Sequence, residues 1–454
     1  MAENNLAYEK KTVYKKASKE AIRRAFDYAE EYKSFLDAAK TERESVTEAI
    51  KLASARGFKE YRLGDKISAG DKLYYNNRGK NLYLFSIGTE PLENGIRISA
   101  AHIDSPRIDL KQCPVYEDGG MSFFKTHYYG GLRKYQWLAL PLALHGVIVK
   151  SNGEKVEVCI GEDESDPVFY INDLLPHLAH KQGKTPIDEA VDGEKLNILI
   201  GSMTESEDDT VKDNVLKLLN EKYGITEEDF ISAEISAVPA GKARDLGFDR
   251  SMICAYGHDD RVCAFPALSA ILDADSTHTL MCILADKEET GSDGNSGMQC
   301  EVMLDIIREM SHKLGANEAV VRANSKCLSA DVSAAYDPNF ADVFEKRNCA
   351  LLSCGAIFMK FTGARGKSST NDASAEYIAW LRGILEKDGI VWQTGELGKV
   401  DCGGGGTVAK YIAKHNIDTI DLGVPLISMH APFEVVSKVD LYETYRAICA
   451  FNKY

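Results

Sequence analysis

Apolar segments with helical spacing and with β-type spacing alternate through the second half of the chain, and this alternation constrains the fold most strongly. Residues 262–274 have helical spacing, and residues 279–285 form an apolar β-type run. The pattern returns with predicted helices over 372–387 and 407–415 and a predicted strand over 419–422. Strands that alternate with helices form parallel sheets with helices on both faces. The sequence therefore predicts an α/β fold with a mainly parallel central sheet.

The alternation is interrupted between residues 107 and 245, where short β-type runs mix with turn clusters. A chain of 454 residues is too long for one ordinary core. An insertion of this size needs its own core or covers another surface, and its run 137–149 is rich in apolar residues. We predict a discontinuous domain of residues 1–106 and 246–454. Residues 107–245 should form an inserted β-rich domain that mediates contacts between subunits.

The composition indicates the cellular compartment and excludes some classes of binding partner. The formal net charge of −15 disfavours nucleic acid and anionic membranes. The longest apolar run contains Pro141 and His145 and is too short to span a bilayer, and the polar first residues lack the apolar stretch of a signal peptide. Eleven cysteines without a Cys-x-x-Cys pair argue against a disulfide framework. These features predict a cytoplasmic protein that binds neither nucleic acid nor membrane.

Five short segments carry histidines and carboxylates, and three of them directly follow apolar β runs. They are Ala101-His102-Ile103-Asp104, His258-Asp259-Asp260-Arg261, Asp286-Lys287-Glu288-Glu289, Ser329-Ala330-Asp331 and Ser428-Met429-His430. In open α/β sheets, sites form beyond the carboxyl ends of the strands, so distant segments can meet in one crevice. Imidazole and carboxylate ligands suit zinc, manganese or cobalt. The series predicts a hydrolytic site with two divalent metal ions.

Each segment alone also fits an ordinary structural role. His102 by itself would be a common core histidine, but Asp104 lies on the same face of the strand end and can orient its imidazole. Asp259 and Asp260 would serve equally as a helix N-terminus, yet a bridging metal gives a reason for two adjacent carboxylates. The five segments together favour the metal site.

Other segments contribute weaker signals. In Asp286-Lys287-Glu288-Glu289, one glutamate can bind a metal while its neighbour acts as base. The glycine run 403–406 is either a flexible turn or a place where the backbone approaches substrate, which makes Gly404 a candidate contact. The segment 363–368 lacks the first glycine of a phosphate-binding loop, and no Gly-x-Ser-x-Gly elbow occurs.

With these segments the chain resembles the aspartyl aminopeptidase family of two-zinc exopeptidases. The resemblance covers nearly the whole chain and includes the ligand segments above together with Tyr129-Gly130-Gly131, Pro176-His177-Leu178-Ala179 and Asn371-Asp372-Ala373. It implies a cis peptide between Asp259 and Asp260. It also implies a ligand set in which His102 and Asp331 hold one metal, Glu289 and His430 hold the other, Asp259 bridges both, and Glu288 is the general base.

The resemblance further implies a tetrahedral homododecamer and a dimerisation role for the inserted domain. Residues 137–143 are apolar where eukaryotic members carry a charged run. Those members have a histidine where this chain has Lys181, with His180 one residue earlier. These departures suggest the bacterial branch and leave the preference for acidic N-terminal residues open.

The function predicted from the sequence is metal-dependent release of N-terminal residues from peptides. Metal ions would activate a water molecule, and Glu288 would take its proton and return it to the leaving amine. An acidic substrate side chain would require a cation, with Lys360 as the local candidate and His180 of a neighbouring subunit as a second. Two alternatives remain. One is a two-metal carboxypeptidase or N-acyl amino acid deacylase, in which Arg365 would bind the substrate carboxylate; the other is a non-catalytic scaffold.

Overall fold

The computed structural model describes residues 6–275 and 277–454. The α-helices in these ranges are α1 (Val13–Lys16), α2 (Lys19–Ala38), α3 (Glu42–Ala55), α4 (Val211–Tyr223), α5 (His258–Leu272), α6 (Val302–Leu314), α7 (Glu318–Asn324), α8 (Ala375–Lys387), α9 (Ala409–Ala413) and α10 (Lys438–Lys453). None of these described helices is long and apolar enough to cross a bilayer.

The described strands form three sheets. In chain order they are β1 (Lys59–Glu60), β2 (Lys72–Asn77), β3 (Asn81–Ser86), β4 (Ile96–His102), β5 (Arg107–Asp118), β6 (Met121–Tyr129), β7 (Leu142–Val149), β8 (Lys155–Ile160), β9 (Tyr170–Ile171), β10 (Ile198–Gly201), β11 (Ala233–Pro239), β12 (Arg244–Leu246), β13 (Met252–Ala255), β14 (Thr279–Ala285), β15 (Lys326–Ser329), β16 (Ser333–Ala334), β17 (Ala356–Met359), β18 (Trp392–Thr394), β19 (Asp418–Gly423), β20 (Pro425–Ile427) and β21 (Glu434–Ser437).

The largest sheet has nine strands in the order β1-β2-β3-β14-β4-β15-β19-β17-β18. Its four central strands, β14, β4, β15 and β19, are mutually parallel, which confirms the predicted α/β fold. The flanks join this centre through antiparallel pairs, β3 with β14 and β17 with β19, so the sheet is mainly but not wholly parallel. On one flank the cause is local: β2 and β3 form a hairpin whose turn contains Arg78 and Gly79 with positive φ.

Helices cover both faces of this sheet, as predicted. Side chains of β4 alternate between two apolar clusters, with Ile96 and Ile98 in one and Ala101 in the other. Helix α6 supplies the first cluster with four buried residues, Met303, Ile306, Ile307 and Met310, whereas α5 and α10 supply the second. Both faces of the central strands are therefore buried, which explains their continuous apolar character.

Several helix boundaries follow from local capping. Thr41 and Glu44 form a capping box that begins α3. Helix α8 begins at Ala375 rather than 372, because Ser374 caps it by accepting from the Tyr377 N–H. The predicted helix over 407–415 is shorter in the structure, spanning only Ala409–Ala413.

The chain divides into two compact units. The first contains the chain up to Asp104, Ala243–Met429 and Glu434–Tyr454, and the second contains Ser105–Lys242 with His430–Phe433. The second unit is built on a seven-stranded antiparallel sheet in the order β8-β7-β11-β5-β6-β10-β9. The third sheet, β12-β13-β21-β20-β16, belongs to the first unit.

Candidate metal centre

The carboxyl ends of three parallel strands meet at one edge of the nine-stranded sheet. His102 at the end of β4 is in register with Ala285 at the end of β14, and Ser329 of β15 is in register with Ala100. Helix α5 packs against β4 and starts at His258, so it brings Asp259 and Asp260 to the same strand ends. Segments far apart in sequence therefore converge, as expected for an open α/β sheet.

His102 lies at the centre of this convergence. Its Nε2 atom is 3.1 Å from Asp259 Oδ1, 3.9 Å from Glu288 Oε2 and 4.0 Å from Asp331 Oδ1. The imidazole is almost fully buried, with 2% of its surface exposed. Nitrogen and oxygen donors at these separations can share one or two cations, because metal–ligand bonds of about 2 Å span such gaps.

Two overlapping groups of donor atoms share the His102 imidazole. One contains His102, Asp259 and Glu289, and the other contains His102, Asp260 and Asp331; within each group the donor atoms lie within 4.8 Å of one another. The peptide bond between Asp259 and Asp260 is cis, as the family resemblance implied. The adjacent Asp259 and Asp260 therefore belong to different groups that share one imidazole.

The electrostatics of the cluster call for additional positive charge. Burial raises the pKa of Asp331 well above its ordinary value, and the neighbouring carboxylates of Asp260, Glu288 and Asp259 raise it further. Burial likewise raises the pKa of Asp260 well above the usual range, although His102 opposes the shift. Among the described residues, Oδ1 of Asp260 is buried and accepts no hydrogen bond. One imidazole does not balance this many buried carboxylates, so the donor set fits a divalent cation.

Asp104 joins His102 to the glutamate pair. The Nδ1 atom of His102 lies 3.0 Å from the Asp104 carbonyl oxygen and 3.3 Å from its carboxylate, so Nε2 faces the other donors. The same carboxylate accepts the backbone N–H groups of Glu288 at 3.1 Å and Glu289 at 3.2 Å. Asp104 therefore orients both the imidazole and the backbone of the glutamate pair.

Two further buried carboxylates hold the backbone of the cluster. Asp260 Oδ2 accepts the His102 N–H at 3.3 Å, and Glu434 Oε2 accepts the Asp259 N–H at 3.0 Å. Neither role was predicted from the sequence. Asp260 carried a signal through its place beside Asp259, but Glu434 carried none, because its contact depends on the pairing of β21 with β13.

Six of the ten predicted site residues lie in this cluster, namely His102, Asp104, Asp259, Glu288, Glu289 and Asp331. His430 belongs to the second compact unit, where its Nδ1 lies 2.8 Å from the Gly131 carbonyl oxygen. His180 is part of the same unit and is exposed.

Lys360 and Gly404 have other contacts in the first unit. The Lys360 ammonium lies 2.8 Å from Asp372 Oδ1 and donates to the Ala373 carbonyl oxygen at 2.7 Å. Gly404 has a φ of 131°, and a Cβ there would lie 2.5 Å from the Ala364 backbone. The glycine is therefore explained by close packing of two backbone segments. The rival candidate Arg365 is exposed and has a φ of 39°.

Comparison with known proteins agrees with this geometry. The profile of the family described as "Aminopeptidase I zinc metalloprotease (M18)" matches residues 35–452. A relative from Clostridium acetobutylicum, "Probable M18 family aminopeptidase 1", is 50% identical over 99% of both chains. The crystal structure of an M18 family aminopeptidase from Thermotoga maritima has a TM-score of 0.94 and 44% identity, covering 98% of this chain and 100% of that chain. The S. cerevisiae mApe1 dodecamer has a TM-score of 0.77 with 22% identity, over 94% of this chain and 96% of that chain, and so shares the fold.

Proposed function

The chain belongs to the aminopeptidase I zinc metalloprotease (M18) family, and from this premise we propose that the cluster around His102 binds two divalent metal ions, with zinc as the first candidate. Membership confirms the resemblance found in the sequence and makes the protein a metalloaminopeptidase, a hydrolase that acts on peptide bonds. The scaffold hypothesis and the carboxypeptidase or deacylase alternative are therefore disfavoured.

The proposed ligand assignment is the one that the family resemblance implies. His102 and Asp331 would bind one ion, Glu289 and His430 the other, and Asp259 would bridge them. For His102, Asp259, Glu289 and Asp331, the support is that each belongs to a group whose donor atoms lie within 4.8 Å of one another. For His430, the support is the contact of Nδ1 with the Gly131 carbonyl oxygen, because metal-binding histidines commonly donate their other ring nitrogen to such an acceptor.

Glu288 is the proposed general base. When bound, divalent ions lower the pKa of a water molecule and polarise the scissile carbonyl. The Glu288 carboxylate lies 3.9 Å from His102 Nε2 and keeps 18% of its side-chain surface exposed, so water and substrate can reach it. It would accept the proton of the attacking water and deliver it to the departing amine. Asp104 would keep the Glu288 backbone in place throughout.

The proposed substrates are peptides with a free N-terminal amine. Lys360, Gly404 and His180 remain proposed substrate contacts, with Lys360 as the group that would favour an acidic N-terminal side chain. Its pairing with Asp372 offsets part of its charge. An acidic preference therefore requires that the substrate carboxylate compete with Asp372 for the ammonium.

Residues 107–245 are proposed as an inserted domain that forms subunit contacts in a homododecamer of tetrahedral symmetry. Three exposed leucines in this stretch, Leu174, Leu175 and Leu178, are 52%, 50% and 68% exposed in the single chain. Clustered exposed apolar side chains mark interaction surfaces, and closed symmetric assemblies are the usual form of homo-oligomers. The cytoplasm is the proposed compartment, in keeping with eleven free thiols.

A direct assay tests the proposed function. Chromogenic aminoacyl and N-acyl amino acid substrates are compared after dialysis against a chelator and addition of zinc, manganese or cobalt. We expect turnover of aminoacyl substrates only, restored by metal. Turnover of N-acyl substrates alone, or full activity without metal, would contradict the proposal. Light scattering on the same preparation tests the assembly separately.

A further inference from the structure

The loop that follows β14 contains two non-glycine residues in a backbone region that favours glycine. Lys287 has a φ of 64° and Ser292 a φ of 61°, and they flank the short 3-10 helix Glu288–Thr290. Side chains other than glycine rarely adopt this conformation, because Cβ crowds the backbone. The conformation persists only where surrounding contacts enforce it, so the contacts of this loop determine how the glutamate pair is presented.

Asp286 supplies the contact at the start of the loop. It is 2% exposed, and its Oδ1 accepts the Lys287 N–H at 2.8 Å. Its Oδ2 accepts the Ser296 hydroxyl at 2.6 Å. A parallel β-bridge also joins Asp286 to Gly297. The carboxylate therefore ties the first turn of the loop to its far end.

The glutamate pair is held between two buried carboxylates. Asp104 accepts the N–H groups of Glu288 and Glu289, while Asp286 accepts the N–H group of Lys287. Ser296 is itself 1% exposed, and its hydroxyl is the donor that fixes the second oxygen of Asp286. Without this donor, Asp286 Oδ2 would stay buried with one hydrogen bond fewer, and the carboxylate would rotate or draw in water.

We propose that Ser296 is a positioning residue for catalysis: through Asp286 it fixes the left-handed turn at Lys287 and thereby the direction of the Glu288 carboxylate. This inference rests on the proposed role of Glu288 as general base. Ser296 is not among the proposed metal ligands or substrate contacts. Its effect should therefore fall on turnover rather than on substrate binding or metal content.

The test compares Ser296→Ala with a matched control, Ser311→Ala. Ser311 is 2% exposed, and its hydroxyl donates to the Ile307 carbonyl oxygen at 2.8 Å within α6. Each variant loses one buried hydroxyl hydrogen bond. Because the acceptor of Ser296 is a carboxylate, the melting temperature of S296A should fall at least as much as that of S311A. We expect kcat of S296A to fall about tenfold, since small misplacements of a reacting group can cost up to about 100-fold. Its KM and metal content should stay as in the wild type, and S311A should keep wild-type kcat.

The outcomes separate this inference from the proposed function. Equal kcat for S296A and S311A, with an active wild type, overturns the positioning role alone. A loss of metal from S296A also overturns it, because the serine would then support Glu289 as a ligand instead. Full activity of Glu288→Gln contradicts the proposed base itself. If S296A does not fold, Ser296→Cys keeps the size of the side chain with a weaker donor, and wild-type kcat in S296C overturns the inference.

Discussion

The candidate metal centre and the segment around Lys360 both carry charged residues predicted to contact metal or substrate. They differ in burial and in whether opposite charges balance. In the centre, buried carboxylates of Asp259, Asp260 and Asp331 surround one imidazole, and burial, followed by the neighbouring carboxylates, raises the pKa of Asp331. Around Lys360, two half-exposed ammonium groups share Asp372, which holds the pKa of that carboxyl below its usual value. Unbalanced buried charge is therefore found at the proposed metal site, whereas the charges around Lys360 are balanced.

The largest expected effect is on activity and concerns Glu288 in the candidate metal centre. Glu288→Gln should lower kcat by about 10²–10⁴-fold, because the amide keeps the size of the side chain but does not accept a proton. Metal content should remain that of the wild type. The exposed Glu301→Gln in the same unit is the control and should keep full activity. Steady-state rates together with elemental analysis check the prediction, and an active, fully loaded E288Q would assign the base to another residue.

The sequence was sufficient to predict the part of this region that depends on strand ends. His102 and the Asp286–Glu289 segment follow apolar runs that were predicted as strands, and their convergence follows from the parallel order of β14, β4 and β15. The roles of Asp260 and Glu434 as backbone acceptors required the three-dimensional pairing of β21 with β13. Residue type and spacing carry no information about such contacts.

Other features were missed or misassigned, each for its own reason. Helix α6 was not predicted, although its buried residues Met303, Ile306 and Met310 have helical spacing. The antiparallel flank at β3 depends on a tight hairpin at Arg78 and Gly79 rather than on strand composition. Gly404 was predicted as a substrate contact, but its close approach to Ala364 supplies a packing reason.

A smaller effect concerns a buried carboxylate outside the donor groups. Burial raises the pKa of Asp421 to about 6, although the hydrogen bond from the Thr407 hydroxyl opposes the shift. The unfolded value is about 3.9, so the folded protein binds more protons than the unfolded chain between about pH 4 and pH 6. Stability is therefore lost as the pH rises through this window.

Asp421→Asn should remove the loss of folding stability that accompanies the rise in pH. We expect the free energy of unfolding at pH 8 to rise by about 3 kcal/mol, since the shift is about two pKa units and each unit corresponds to about 1.4 kcal/mol. The pH profile between about pH 4 and pH 6 should also become flatter. Asp418→Asn on the same strand, where the side chain is 54% exposed, is the control and should change little. Denaturant unfolding at several pH values measures both. An unchanged pH profile in D421N would show that the carboxyl is not the titrating group.

The smallest expected effect on stability concerns Lys360, whose charge is paired with Asp372 at the surface. Lys360→Ala should change the free energy of unfolding by less than about 1 kcal/mol, because partly exposed ion pairs contribute little. If Lys360 binds an acidic N-terminal side chain, kcat/KM should fall about tenfold for an aspartyl substrate and stay constant for a leucyl substrate. Lys367→Ala removes the other partner of Asp372 and is the control. Equal losses on both substrates would remove Lys360 from the specificity pocket.

The central claim is that the buried donors around His102 bind the catalytic metal ions, and titration of the apoenzyme with zinc tests it most directly. Bound zinc is counted by elemental analysis while aminoacyl hydrolysis is followed, in the wild type and in Asp259→Asn. We predict two ions per wild-type chain, with activity rising as they bind. D259N, which loses the proposed bridging charge, should bind fewer ions and stay inactive. Wild-type zinc content and activity in D259N, or an active apoenzyme, would contradict the claim.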